Sequence, residues 1–304
     1  MTARVNVIMT VRDGQKYLPE TLDSLTNQTF SDYELVVVNN GSTDGTGDIL
    51  ARYAKTDCRI RIIDVPSSEH GTFTQGIDRA LRAATAPLVA VNDGDDVSMP
   101  TRLARQVAMF DGDSALALVG CWFDYVDAAG HCMANYTTPT DHADLIDLYQ
   151  YRSPLAHSGV MYRRETALAA GGYDEQFAFA SDVALQIRIA ARGGRLAAVP
   201  ATLVQIRQHP AQTSLMPGDA YRRHLEPLQV RKMASRLPGV SVGAGWKGMI
   251  AREKLTIKCA IALWQSGRWG ASLTMAVTSV FVAAVSVIRM IIPRALRHLQ
   301  SGEL

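Results

Sequence analysis

Apolar residues fall in short runs separated by polar, turn-rich stretches. Residues 5–9, 35–38, 60–65 and 88–91 are apolar runs of strand length with little alternation, the pattern of strands buried on both faces. Between them the period changes. Leu18, Leu22 and Leu25 recur at helical spacing, with Pro19 acceptable in a first turn, and 47–55 and 73–84 read as further helices. Strands alternating with helices predict right-handed βαβ units and a mainly parallel sheet, an α/β fold. Beyond residue 99, the pattern predicts helices at 100–110, 144–149, 163–170 and 183–191. It predicts strands at 115–123, 155–162, 196–199 and 202–206, with a hairpin turn at 128–131.

Two of the early strands run into polar loops at one edge of this sheet. Strand 35–38 leads into Asn39-Asn40-Gly41-Ser42-Thr43-Asp44-Gly45-Thr46, and strand 88–91 into Asn92-Asp93-Gly94-Asp95-Asp96. The carboxyl edge of an open parallel sheet is where ligands bind. Three carboxylates within four residues repel one another unless something neutralises them, and hard oxygen donors suit magnesium or manganese. The competing reading is a solvated turn, since Asp and Gly are favoured there. The loop after the first strand holds Gly14 without a G-x-G-x-x-G pattern, and no P-loop signature occurs, so neither dinucleotide nor P-loop chemistry is expected.

Composition narrows the class. The chain has 304 residues, 47% hydrophobic and 20% charged, enough for a full core in one large or two moderate domains. A net charge of +2 argues against a dedicated nucleic-acid binder. The charge is uneven, because residues 245–304 hold eight Lys/Arg against two acids, which points to an anionic partner such as a membrane surface. Cys58, Cys121, Cys132 and Cys259 lack C-x-x-C spacing and read as reduced thiols. A strand pattern begins by Val5 with no long apolar stretch before it, so no secretory leader is expected. The two N-x-T matches, at Asn27 and Asn135, then read as chance.

Residues 237–248 are Gly-rich and read as a linker, with helices at 246–265 and 269–299. Residues 269–288 carry no charge and are long enough to span a bilayer, but basic residues flank both ends and several Ser and Thr dilute the run. An in-plane membrane helix, a span, and helices packed on the main domain all remain open.

The ordered set of motifs resembles family 2 glycosyltransferases of the GT-A fold, over roughly 5–214. The set comprises residues 36–46, Asp93-Gly94-Asp95-Asp96, 99–106, Gly171-Gly172-Tyr173-Asp174-Glu175, Ser181-Asp182 and Arg207-x-His209. The resemblance implies a Rossmann-like sheet flanked by helices, with a C-terminal helical extension. Residues 1–215 would form the catalytic domain, split into a nucleotide-binding half, 1–105, and an acceptor half, 106–215. Residues 216–304 would form a helical, membrane-associated region. The implied activity is metal-dependent, inverting transfer from a nucleotide-diphosphate sugar to a saccharide or lipid-linked acceptor, in bacterial surface polysaccharide synthesis. Its place would be the cytoplasmic face of the membrane.

Within that family the D-x-D motif looks after the metal, Mn2+ or Mg2+, and the diphosphate, which here implies Asp93 and Asp95. Asp96 would position the donor or brace the loop, with Thr10, Arg12, Asn39 and Ser42 also on the donor side. The resemblance assigns the general base to Asp182. From the residues alone Asp182 reads as a helix N-cap, with Ser181 as a substitute cap. His157 is either an acceptor contact, with Gly172 and Tyr173, or a structural hydrogen-bonding residue. Arg207 and His209 either close a loop over the diphosphate or form a surface turn ended by Pro210.

The chain departs from the family pattern at three places. Asn39 stands where Asp is usual, which puts a uridine preference in doubt. Thr10-Val11-Arg12-Asp13 replaces a loop with an aromatic residue, leaving Arg12 to stack by its guanidinium plane. Thr74-Gln75 stands where Arg-Asn is usual. These departures motivate an alternative, a catalytically silent nucleotide-sugar-binding scaffold. A nucleotidyltransferase would need a basic Gly-rich phosphate loop near the N-terminus, and residues 10–16 make a poor one.

Overall fold

The computed structural model describes residues 3–210, 212, 220–240 and 257. The helices expected at 246–265 and 269–299, and every membrane reading of 269–288, lie outside the described residues except for Ile257. Among the described residues no helix is long and apolar enough to cross a membrane.

β1 (Val5–Val11) has all seven residues buried. It pairs in parallel with β2 (Tyr33–Asn40) on one side and β4 (Leu88–Val91) on the other, and β3 (Ile60–Val65) extends the sheet beyond β2. The crossovers carry α1 (Leu18–Thr26), α2 (Thr46–Thr56) and α3 (Phe73–Ala83). The order β3-β2-β1-β4 changes direction between β1 and β4, which opens a crevice at their carboxyl ends. Both sheet faces are covered. Val7, Met9, Leu35 and Val37 pack with Leu18, Leu22 and Leu50 on one side, and Ile8, Val36, Val38 and Val91 pack with Ile77 and Leu81 on the other. That two-sided burial is why the first half reads as continuous apolar runs.

The second half is mixed. β5 (Val97–Ser98) and α4 (Arg102–Gly112) lead to the long β6 (Leu116–Val126), onto which β7 (Cys132–Tyr136) folds as an antiparallel hairpin. α5 (His142–Tyr149), β8 (Met161–Arg163), α6 (Arg164–Ala169), α7 (Ser181–Ala191) and β9 (Arg195–Arg207) follow. β8 bridges the halves, antiparallel to both β4 and β6. β9 runs parallel to β6 and antiparallel to β5, giving the order β3-β2-β1-β4-β8-β6-β9-β5.

Two expectations change here. Residues 155–162 are not one strand: His157–Gly159 is a single helical turn, closed by Gly159 N–H to the Ala156 carbonyl, and β8 starts only at Met161. Residues 196–206 form one strand, not two. Its pairing with β6 slips beside Pro200, which has no N–H for the ladder. Lastly, α8 (Ala220–Ala234) places Val230, Ala234 and the following Leu237 in the same core cluster as α5 and α7. α8 therefore packs beside α5 and α7.

Candidate functional site

The site is built on the acidic turn that leaves β4. Asn92 is fully buried and acts as its anchor. Its amide nitrogen donates to the Asp93 and Asp96 carbonyls at 2.9 and 3.3 Å, and its oxygen accepts from Ser98 Oγ and Arg102 Nη1. Arg102 and Gln106 come from the first turns of α4. Arg102 donates to the Val91 and Val160 carbonyls, and Gln106 to those of Val119 and Gly159. One helix thus ties the end of β4 to β6 and to the 157–159 turn. Arg102 has no exposed surface, and burial lowers its pKa to about 10.

The three carboxylates have distinct surroundings. Asp96 is 3% exposed, and both its oxygens are used within the protein: Ser158 Oγ donates to one, and the Arg207 backbone N–H donates to the other at 2.9 Å. Burial, then Asp95 and Asp93, push its carboxyl well above the ordinary value. Asp96 therefore braces the turn from beneath. Asp93 and Asp95 keep side chains 25% and 29% exposed, each facing a histidine. His157 Nδ1 lies 2.9 and 3.1 Å from the two Asp93 oxygens, and His209 Nε2 lies 2.9 Å from Asp95 Oδ2. Burial works to raise Asp93, but the charge and hydrogen bond of His157 outweigh it and hold the carboxyl low. Asp95 goes the other way, raised by burial and by Asp93 despite His209.

The acceptor-half residues meet this turn through His157. Its Nε2 lies 3.0 Å from Tyr173 Oη, which lies 3.3 Å from Tyr162 Oη. Asp78 accepts from the Tyr173 backbone N–H at 2.9 Å, and Arg188 donates to the Gly172 carbonyl at 2.6 Å. Gly172 has φ +68°, and a Cβ there would sit 2.4 Å from Asp78 Oδ1, so both the turn and the close approach need glycine. α7 begins at Ser181 with Ala180 as its cap residue and no side-chain cap bond, so neither Ser181 nor Asp182 caps the helix. Asp182 stands in the first turn, where burial, opposed by the nearby His157 and reinforced by Asp93, raises its carboxyl.

At the carboxyl ends of β1 and β2 the loops interlock. Asp13, at φ +52°, accepts from Thr43 N–H at 2.7 Å, and Ser42 Oγ accepts from Asp13 N–H at 3.1 Å. Ser42 is thus engaged in holding the two loops together. Thr10 is 5% exposed, with its hydroxyl against Gly76 of α3, while Arg12 is exposed. Asn39 lies at the end of β2 and donates to Asp64 Oδ1 at 2.9 Å. Thr74 and Gln75 reach across to the Phe177 carbonyl and the Glu175 carboxylate, linking α3 to the acceptor half.

Arg207 is a bracket. Its side chain is 3% exposed; it donates to the Asp95 carbonyl and to Glu20, and lies 4.9 Å from the Tyr17 ring, which also packs on His209. Tyr17, Asn92 and Ser158 were not singled out from the sequence. A lone Tyr, Asn or Ser in a loop carries no periodic signal, and their roles emerge only from partners as far as 192 positions away (Tyr17 to His209).

The residues fit a hard divalent cation. Asp93 and Asp95 are partly exposed carboxylates on one turn, and Asp95 is raised by burial and then by the neighbouring charge of Asp93. No ready-made group of three or more His, Cys, Asp or Glu ligands occurs among the described residues.

The model of the family described as "Glycosyl transferase family 2" matches residues 6–169. The O-antigen biosynthesis glycosyltransferase WbnJ of Escherichia coli is 28% identical over 170 residues, covering 56% of this chain and 65% of WbnJ, just under two thirds of that protein. Among solved structures, S. aureus TarS 1-349 in complex with UDP-GlcNAc aligns with TM-score 0.66 and 16% identity, over 91% of this chain and 89% of that one. The mannosyltransferase PcManGT from Pyrobaculum calidifontis, in complex with GDP-Man and Mn2+, aligns with TM-score 0.61 and 20% identity, over 100% and 89%. At these identities the two structures establish the fold, which is of the GT-A type.

Proposed function

Since the chain belongs to glycosyl transferase family 2, we propose that it moves a sugar from a nucleotide-diphosphate donor to a hydroxyl of a saccharide or lipid-linked acceptor. The observation that supports this is the turn that carries Asp93 and Asp95 at the carboxyl edge of the sheet, with both carboxylates partly exposed and Asp93 held by His157. Asp93 and Asp95 would hold the divalent cation, which when bound supplies Lewis-acid stabilisation of the charge growing on the leaving diphosphate. Asp182 accepts the acceptor hydroxyl's proton as that oxygen attacks the anomeric carbon. The bond to the diphosphate oxygen breaks as the new bond forms, and its electron pair leaves with the nucleotide. A single displacement of this kind inverts the anomeric centre. Burial keeps Asp182 more basic than an exposed carboxylate, which suits it to the task.

Asp96, Arg102 and Arg207 act as positioning residues beneath the turn. The relationship to WbnJ supports polysaccharide assembly as the setting. The proposed arrangement is a catalytic domain over 1–215 with its C-terminal region at the cytoplasmic face of the membrane. The basic balance of 245–304 supports contact with anionic lipid.

Turnover of a panel of nucleotide sugars with manganese tests the reading. The wild type should release nucleoside diphosphate, and Asp182→Asn should lose roughly 10²–10⁴-fold in rate while still binding nucleotide. Near wild-type turnover by Asp182→Asn would remove the base assignment. The scaffold alternative draws on the histidine partners already facing Asp93 and Asp95. Nucleotide-sugar binding without turnover of any donor would favour it.

A further inference from the structure

The amino end of β4 borders a cavity of about 340 Å³, lined by residues 85–87 on one side and 163–166 on the other. Both walls are fixed by hydrogen bonds. Asn6 Oδ1 accepts from the Thr85 and Ala86 N–H groups at 2.7 Å each, and the Pro87 carbonyl accepts from the Arg164 N–H at 3.0 Å. Leu88 and Arg163 are register partners on β4 and β8. The four residues of β4, roughly 13 Å of strand, separate this end from the acidic turn. The cavity is therefore no part of the catalytic cleft.

Its chemistry is set by two guanidinium groups. Arg163 and Arg164 both line it, and neither forms an ion pair among the described residues. Arg163 is held in place. Its Nε donates to the Leu116 carbonyl at 2.7 Å, its Nη2 to the Ser114 carbonyl at 3.1 Å, and its guanidinium lies 5.2 Å from the centre of the Phe110 ring. Nη1 is left available. Arg164 is half-buried, and its Nε is shut off from water with no hydrogen-bond partner among the described residues. A solvated arginine needs no counter-charge, but this one has lost water at one nitrogen without gaining an acceptor. An anion meeting its outer nitrogens offsets that loss. Glu165 also lines the cavity, but it is exposed and pairs with neither arginine, so two positive charges stand against one negative.

We propose that this cavity binds a phosphate group, with Arg163 and Arg164 on its oxygens and the Thr85 and Thr166 hydroxyls donating beside them. Planar guanidinium forks match phosphate oxygens in pairs. A phosphate offers enough oxygens and charge for two arginines and two hydroxyls, whereas a carboxylate has two oxygens and one charge, which a single arginine satisfies. The cavity falls at the small end of ligand sites, with room for more than the phosphate itself. The group therefore arrives attached to a soluble phosphorylated compound or to a lipid headgroup.

Titration calorimetry of the full chain with inorganic phosphate tests this, with chloride as the reference anion at constant ionic strength. EDTA is present, so that no cation holds phosphate at Asp93 and Asp95. Wild type should bind phosphate saturably, and Arg164→Gln should weaken it at least about tenfold, the size of a lost charge-assisted hydrogen bond. Without phosphate, Arg164→Gln should melt no lower than wild type, because it removes a charge that has no partner. Thr85→Val, which keeps the backbone N–H bonded to Asn6, should weaken phosphate roughly two- to tenfold. Phosphatidylglycerol vesicles that displace phosphate from wild type would identify a lipid headgroup, and vesicles that leave it bound would identify a soluble phosphate compound. Phosphate bound no more tightly than chloride would overturn the proposal, as would wild-type phosphate affinity in Arg164→Gln.

Discussion

His157 Nδ1 lies within hydrogen-bond distance of both carboxylate oxygens of Asp93, at 2.9 and 3.1 Å, joining two halves of the chain that are 64 residues apart. The acceptor is a carboxylate, so Nδ1 carries the proton and Nε2 turns to Tyr173 Oη. Asp93 and His157 stabilise each other's charged forms. Burial pulls the His157 pKa down, and Asp93 more than offsets it. The imidazole therefore fixes the orientation of a carboxylate assigned to the cation and diphosphate.

Replacing His157 by Ala leaves Asp93 partly buried without its partner. Loss of such a supporting contact typically costs 10–100-fold in metal affinity, so manganese affinity should fall by about that factor in the presence of nucleotide. His157→Gln, which keeps an N–H donor, should recover part of it. Unchanged manganese affinity in His157→Ala would show that Asp93 needs no such orientation.

Arg102 supports a second prediction. It is fully buried and donates to Asn92, Ser98, Val91 and Val160, with no carboxylate bonded to it. Arg102→Met leaves those acceptors unpaired beneath three aspartates. Breaking a buried charged network costs about 3–5 kcal/mol, which lowers the melting temperature by roughly 10 °C in a domain of this size. Thermal unfolding checks this, and a shift under about 2 °C would mean that water replaces the guanidinium without loss.

How far the sequence exposed this design differs between the two halves. Strands β1 to β4 are apolar on both faces, so their positions and the ligand edge follow from short runs such as Val36-Val37-Val38. The turn at His157–Gly159 was hidden because apolar residues flank it on both sides, Leu155-Ala156 and Val160-Met161-Tyr162, and the chain bends there through backbone bonds that periodicity does not register. The acidic cluster was visible, but its division of roles was not. Three neighbouring Asp residues look alike until Ser158 and Arg207 turn Asp96 inward. In the same way, Arg207 and Thr74-Gln75 could be noted as motif positions, but their cross-chain partners depend on the folded topology.

Two carboxylates far from the cleft set an acid-side stability limit. Glu34 is held below its ordinary 4.5 by the hydrogen bond from Arg61, and Asp57 below 3.8 by that from Arg59. A carboxyl whose folded pKa is depressed contributes stability above its unfolded pKa, and that contribution is lost as pH falls through the folded value. The melting temperature should therefore fall as pH drops below about 4.5. Glu34→Gln should be less stable than wild type at pH 7, and the gap should narrow toward pH 3. Parallel melting curves for the two proteins across that range would show that the Glu34–Arg61 pair carries no net linkage.

Gly172 gives the most local test of the acceptor side. Its left-handed φ of +68° costs an L-residue roughly 1–2 kcal/mol, and the 2.4 Å approach of Asp78 Oδ1 adds a steric clash. Asp78 also accepts from Tyr173 N–H, so displacing it releases the ring that meets His157 Nε2. Gly172→Ala should therefore lower stability by at least that amount and raise the KM for acceptor, with nucleotide affinity nearly unchanged, because Asn39 and Ser42 lie in the other half. Asp78→Asn should reproduce the KM effect with a smaller loss of stability, since its amide still accepts from Tyr173 through oxygen. If both variants instead weakened nucleotide binding and left the acceptor KM alone, the 171–174 turn would belong to the donor side of the cleft.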